Sequence, residues 1–125
     1  EGLMRRNNMS AKRAANFSIM CLRTQLNNAR ELDNALVLTY ESLVLGPAKV
    51  TQKITDFIPQ LNDMDCEADF TLDSIEGTLR RPITNLNAQK IDALSAASIA
   101  SMNEVFLQHL QTLDAWGYQL LTPKL

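Results

Sequence analysis

Ala15, Ile19, Leu22, Leu26 and Ala29 recur at alternating spacings of four and three, which sets them on one stripe of an α-helix. Arg23, Gln25, Asn27, Asn28 and Arg30 fall mostly off that stripe. Ser10 precedes Ala11-Lys12-Arg13-Ala14-Ala15 and is suited to cap the helix through its hydroxyl, so the pattern predicts a helix from Ser10 to about Glu31. Residues 1–9 are polar and basic, with Asn7-Asn8 reading as a loop, and Asp33-Asn34 makes a turn. Next comes the run Ala35-Leu36-Val37-Leu38-Thr39-Tyr40-Glu41-Ser42-Leu43-Val44, bounded by Asn34 and Gly46-Pro47. A short apolar run of this kind suits a buried strand, with a buried helical turn as the alternative. Val37, Thr39 and Tyr40 favour the strand, because branched and aromatic side chains fit a pleated surface.

Pro47 opens a second helix, whose stripe is Val50, Ile54, Phe57 and Ile58, with Lys49 and Lys53 on the exposed side and Pro59 as its end. Residues 60–70 are acidic and loop-like, and Thr71 or Asp73 is expected to cap a short helix around Ile75–Leu79 that Pro82 stops. Residues 82–90 are expected to be extended, leading through Ile91 and Leu94 to Ser95. Ser95 is the expected N-cap of a last helix with Ile99, Met102, Phe106, Leu110 and Leu113 on its apolar face. Gly117 should break that helix and let Trp116, Tyr118, Leu120 and Leu121 cover the body. The pattern contains no internal repeat and reads as one region, residues 1–125.

A strand buried alone cannot satisfy its own backbone. The expectation is therefore that the 35–44 run pairs with a missing N-terminal part of the same protein, or with a dimer partner. A chain that starts at Glu1 rather than Met is consistent with a piece of a longer protein.

Composition changes this picture little. The chain has 125 residues, 46% of them hydrophobic and 21% charged, which is ordinary for a domain with a core. The net charge of −2 makes neither nucleic acid nor a membrane a default partner. The charge is uneven, however. Residues 1–30 carry Arg5, Arg6, Lys12, Arg13, Arg23 and Arg30 against Glu1 alone, whereas 41–79 carry eight acids against Lys49 and Lys53. Such asymmetry marks either an anion-binding end or two solvated faces. Cys21 and Cys66 make neither a metal pattern nor a disulfide framework, and no signal, membrane-spanning or lipidation motif is visible. No metal ligand set is assigned.

The run Leu38-Thr39-Tyr40-Glu41-Ser42-Leu43-Val44, then Gly46-Pro47, then Ile54-Thr55-Asp56-Phe57-Ile58-Pro59-Gln60-Leu61 resembles the "YEDL … DP … K I … F L" signature of the sulfotransferases. Ser42 stands where that family has Asp or Asn, and Gly46 where it has Asp. Leu79-Arg80-Arg81-Pro82 resembles the family's "LRR" segment, and Ala115-Trp116-Gly117-Tyr118 its "FGY". The resemblance covers about residues 20–121. It implies the C-terminal part of an α/β, P-loop-like sulfotransferase fold, represented here mostly by α-helices with one short β-strand. It also implies 3′-phosphoadenosine-5′-phosphosulfate (PAPS) as donor for the full-length enzyme, and a small molecule or glycan as sulfuryl acceptor.

The resemblance places Tyr40 near the adenine of the donor and offers Arg80 and Arg81 as contacts to its 3′-phosphate. Read as ordinary residues, Tyr40 is a packed tyrosine with a backbone partner, and the arginines are a solvated pair or ion-paired to Asp73 or Glu76. Glu41 is assigned to anchoring local backbone or pairing with an arginine. The family's donor loop and catalytic base find no counterpart: Gly2, Gly46, Gly77 and Gly117 lie in no phosphate loop, and nothing in 1–34 matches the base. Arg6-Asn7-Asn8 lacks the proline of the family's "RNP" motif and is taken as coincidence. His109 lies beside an apolar stripe and reads as a packed residue. No catalytic residue is assigned, and the chain alone is expected to lack transferase activity. The alternative is a small helical protein-interaction module.

Overall fold

The structure is a computed structural model, and it describes residues 1–66, 69–74 and 77–123, with only the backbone considered within its two strands. Seven α-helices are found among these residues: α1 (Gly2–Asn7), α2 (Ala11–Glu31), α3 (Tyr40–Leu45), α4 (Pro47–Phe57), α5 (Asn87–Asp92), α6 (Ala96–Leu107) and α7 (Leu110–Trp116). A 3₁₀ turn, Pro59–Leu61, follows α4. Strands β1 (Phe70–Ser74) and β2 (Gly77–Arg81) pair antiparallel, with Leu72 opposite Leu79. The chain divides into two compact units, one formed by 1–33 and 86–125 and the other by 34–85.

The first unit holds the core. Ala14, Ala15 and Ile19 of α2 are buried together with Met102 and Val105 of α6 and Leu113 of α7. Ala14 and Ala15 present almost no side-chain bulk, so α6 can approach the α2 backbone closely at this point. Leu3, Met4, Leu22, Phe106 and Leu121 pack around the cluster. The expected caps are in place. Ser10 Oγ accepts from Arg13 N, and Ser95 Oγ accepts from Ser98 N at 3.1 Å. Gly117 ends α7 at φ 72°, a left-handed conformation that favours glycine, and Tyr118 N donates back to Leu113 O.

Two longer-range hydrogen-bonding devices close this unit. Trp116 Nε1 donates to Leu22 O at 3.1 Å and ties α7 to α2. The Asn103 amide reads the Leu121 backbone on both sides: Nδ2 donates to Leu121 O at 2.8 Å, and Leu121 N donates to Oδ1 at 3.0 Å. The segment after Gly117 is thereby held on α6.

Several expectations are corrected. The chain does not form part of an α/β, P-loop-like sulfotransferase sheet: among the described residues the strands are those of an antiparallel hairpin, and the rest is helical or irregular. The run 35–44 is not a strand. Ala35–Thr39 is irregular, and a helix starts at Tyr40 because Thr39 and Ser42 form a reciprocal capping box. The short helix expected around 75–79 is replaced by strand from Gly77, while Ile75 and Glu76 lie outside the described residues. The alternation Phe70-Thr71-Leu72-Asp73 and the repeat of Thr-Leu at 78–79 suit a ribbon better than a helical turn. Residues 2–7 form a helix that takes in Asn7, read as loop, and residues 87–90 are helical rather than extended.

The last helix is two. It breaks at Gln108-His109, where Gln108 N and His109 N bond three residues back to Val105 O and Phe106 O. The break lets Leu113 reach the core and leaves Leu110 exposed. No residue type at 108–109 dictates it.

Replacing Asn103 by Leu should remove both bonds to Leu121 and leave the tail backbone to water. Hydrogen bonds of this kind contribute about 1 kcal/mol each. The expected outcome is a lowered thermal midpoint and amide exchange at Leu121 that quickens more than that of the α2 amides; unchanged exchange at Leu121 would contradict the assignment.

Candidate interaction surface

The unit 34–85 is built around the α3–α4 corner. Ser42 N donates to Thr39 Oγ1 at 3.1 Å, Thr39 N donates to Ser42 Oγ at 3.3 Å, and Ser42 Oγ donates to Thr39 O at 2.8 Å. The capping box thus uses the serine that departs from the sulfotransferase signature. Glu41 lies in the first turn of α3, where a carboxylate is favoured by the helix dipole. Pro47 occupies the first turn of α4 and fixes its start directly after Gly46.

Tyr40 is 40% exposed, and its hydroxyl donates to Thr84 O at 2.9 Å. This bond ties the start of α3 to the segment that follows β2. Arg80 and Arg81 occupy the last two positions of β2, opposite Thr71 and Phe70. Their side chains lie outside the described residues. Tyr40 and the arginines are therefore on separate elements of one unit.

Large apolar side chains of this unit stand exposed among its polar ones. Val50 of α4 is buried, whereas Val37, Tyr40, Leu45, Phe57, Ile58, Leu61 and Met64 are all exposed. Four of them fall between Phe57 and Met64. There the chain is drawn into a tight turn by Leu61 N→Ile58 O (3.0 Å) and Met64 N→Leu61 O (3.2 Å). Leu45, at the end of α3, is 76% exposed. Of the sequence stripe Val50-Ile54-Phe57-Ile58, Val50 is buried and Ile54 half-buried, whereas Phe57 and Ile58 are each 40% exposed and Ile58 lies just beyond the end of α4. Pro59 was the available signal, since it ends the helix before the stripe can be packed along its length.

In the other unit, His109 is half-exposed and forms the N-terminal boundary of α7, its carbonyl accepting from Thr112 N and Leu113 N. It borders a groove of about 350 Å³ with Asn16, Ile19, Met20, Arg23, Thr24 and Asn27. The Asn16 amide and Thr24 hydroxyl donate to their own helix, at Lys12 O and Met20 O. Among the described residues no three His, Cys, Asp or Glu side chains converge as a metal set, and no helix is long and apolar enough to cross a membrane.

Tyr40→Phe should leave α3 capped but release the 82–85 segment. At a half-exposed site the loss should lie near the lower end of about 0.5–1.5 kcal/mol. Hydrogen exchange around residues 83–86 should quicken, with α4 amides following only slightly; equal exchange in both proteins would remove Tyr40 as the tie. No family model matches the chain, and neither a curated protein nor a solved structure matches it.

Proposed function

We propose that the chain is a helical protein-interaction module, in which the core unit is the scaffold and 34–85 is the binding part. One observation carries this reading: seven large apolar side chains of the 34–85 unit face solvent, while Val50 is its buried apolar residue among those described. Apolar groups gathered at a helix end and a tight turn gain free energy when another polypeptide removes them from water, at about 25 cal/mol per Å². The same unit carries eight acidic and four basic residues, a net charge of −4. The partner is therefore a protein surface with an apolar centre and a basic rim, since complementary potential at the rim speeds and orients docking.

A second reading keeps the sulfotransferase resemblance: the chain is a segment of a PAPS-dependent enzyme whose donor loop and base lie elsewhere. The order of its motifs supports it. In that case the rest of the enzyme is what covers the 34–85 unit.

The test is site-specific photocrosslinking in the native cell. A photoreactive residue at Leu61 should yield one discrete protein adduct that disappears in the Phe57→Asp background and weakens at high salt. The same residue at exposed Gln111, in the core unit, should yield none. Equal adducts at both positions, or none at Leu61, would overturn the docking reading. The isolated chain should also transfer no sulfuryl group from PAPS to phenol or sugar acceptors; measurable transfer would replace the docking reading with the enzymatic one.

A further inference from the structure

Within the core unit, α5 stands off every other helix among the described residues. Beside it lies a cavity of about 190 Å³, partly open to solvent. Ala14, Ala15, Met102 and Phe106 line it from α2 and α6, and Ile91 and Leu94 from α5 and the turn that follows. The two alanines are too short to fill the space that α5 leaves. Few polar groups reach the cavity. The Ser18 hydroxyl proton is already given to Ala14 O at 3.0 Å, and the Glu1 carboxylate is ion-paired with Arg5 Nε at 3.6 Å. Lys90 also borders the cavity; it is exposed, and among the described residues its amine makes no ion pair or hydrogen bond. Such a lining offers water little to bond to. An apolar cavity of about 150 Å³ lined by Leu, Ile and Phe stays dry and takes benzene.

We propose that this cavity binds a small amphipathic carboxylate, its apolar body among the side chains of α2, α6 and Leu94 and its acid group on Lys90. The body gains free energy by leaving water for a preformed apolar lining. Lys90 selects the head group, because it is the cation at the cavity with no partner of its own, whereas Glu1, the acid there, is already neutralised by Arg5. An amine head would meet Lys90 with like charge and would have to take Glu1 from Arg5. An alcohol of the same length keeps the apolar gain and forgoes the ion pair. The Lys90 contact lies at the exposed rim, so it adds selectivity more than affinity, and salt screens it. This inference rests on the core unit and not on the docking face around Phe57–Met64.

Titration of the full chain with octanoate, octanol and octylamine, each below its micelle concentration, tests it by NMR. Octanoate should shift the signals of Ile91, Leu94, Met102 and Phe106 saturably and raise the thermal midpoint. Octanol should bind the same residues more weakly, and octylamine weakest of all. Lys90→Gln, a change at an exposed position, should weaken octanoate about three- to fivefold and leave octanol unchanged. Leu94→Trp should fill the cavity and abolish both, with far-UV circular dichroism confirming that the helices persist. The Phe57→Asp/Leu61→Asp protein should bind octanoate like the wild type, so that failure here is separable from failure of the docking reading. No saturable shift at the four residues overturns the proposal. So does octylamine binding as tightly as octanoate, an undiminished octanoate affinity in Lys90→Gln, or shifts centred on Phe57–Met64 instead.

Discussion

The core unit depends on the close contact that Ala14 and Ala15 allow between α2 and α6. Two adjacent alanines, 3% and 1% exposed, leave room for Met102 and Val105 to seat against the α2 backbone, with Ile19 and Leu113 closing the cluster. A larger residue at position 15 would force the helices apart, at a cost of about 1–3 kcal/mol. The other fixtures of this unit serve that contact. Trp116 ties α7 to α2, Gly117 turns the chain back, and Asn103 fastens the returning segment at Leu121.

The 34–85 unit has no equivalent cluster among its described residues. Its order comes from local chemistry: a capping box at Thr39, a proline at the start of α4, a tyrosine bonded to Thr84 and a two-stranded ribbon. Such devices set the conformation of short segments and bury little apolar surface. Units of this size approach the lower limit at which a single hydrophobic core sustains a fold. That contrast underlies the docking proposal: one part of the chain has its own core, and the other offers apolar side chains to a second polypeptide.

The helices with a clear apolar stripe and a named cap were legible in the sequence. The α2 stripe and its Ser10 cap, the Pro47 start of α4, and the Ser95 cap of α6 are all local signals, and each is where the residues place it. The run 35–44 was misread because its apolar composition outweighed the Thr39-x-x-Ser42 pair. Serine is a weaker sequence signal than Glu or Gln for the third helical position, although it makes the same reciprocal bonds. The break at His109 had no signal, because it is set by which side chains reach the core rather than by a helix-breaking residue. The exposed apolar turn at 57–64 was half legible: periodicity showed one face, but only the fold shows that Phe57, Ile58, Leu61 and Met64 stay exposed. The reading as an α/β enzyme segment came from motif order, and the sheet seen among the described residues, an antiparallel ribbon outside the presumed strand at 35–44, does not build that fold.

The account's central claim is that the two units are stabilised unequally, one by its own core and the other by local bonds that await a cover. Residue-resolved native-state hydrogen exchange of the full, dilute chain measures this directly. The account predicts the strongest protection in α2 and α6, with α4 exchanging through much cheaper opening even at the Ile54 and Phe57 amides. Protection in α4 equal to that in α2 would show that 34–85 shares one cooperative core with the rest, and would contradict the account.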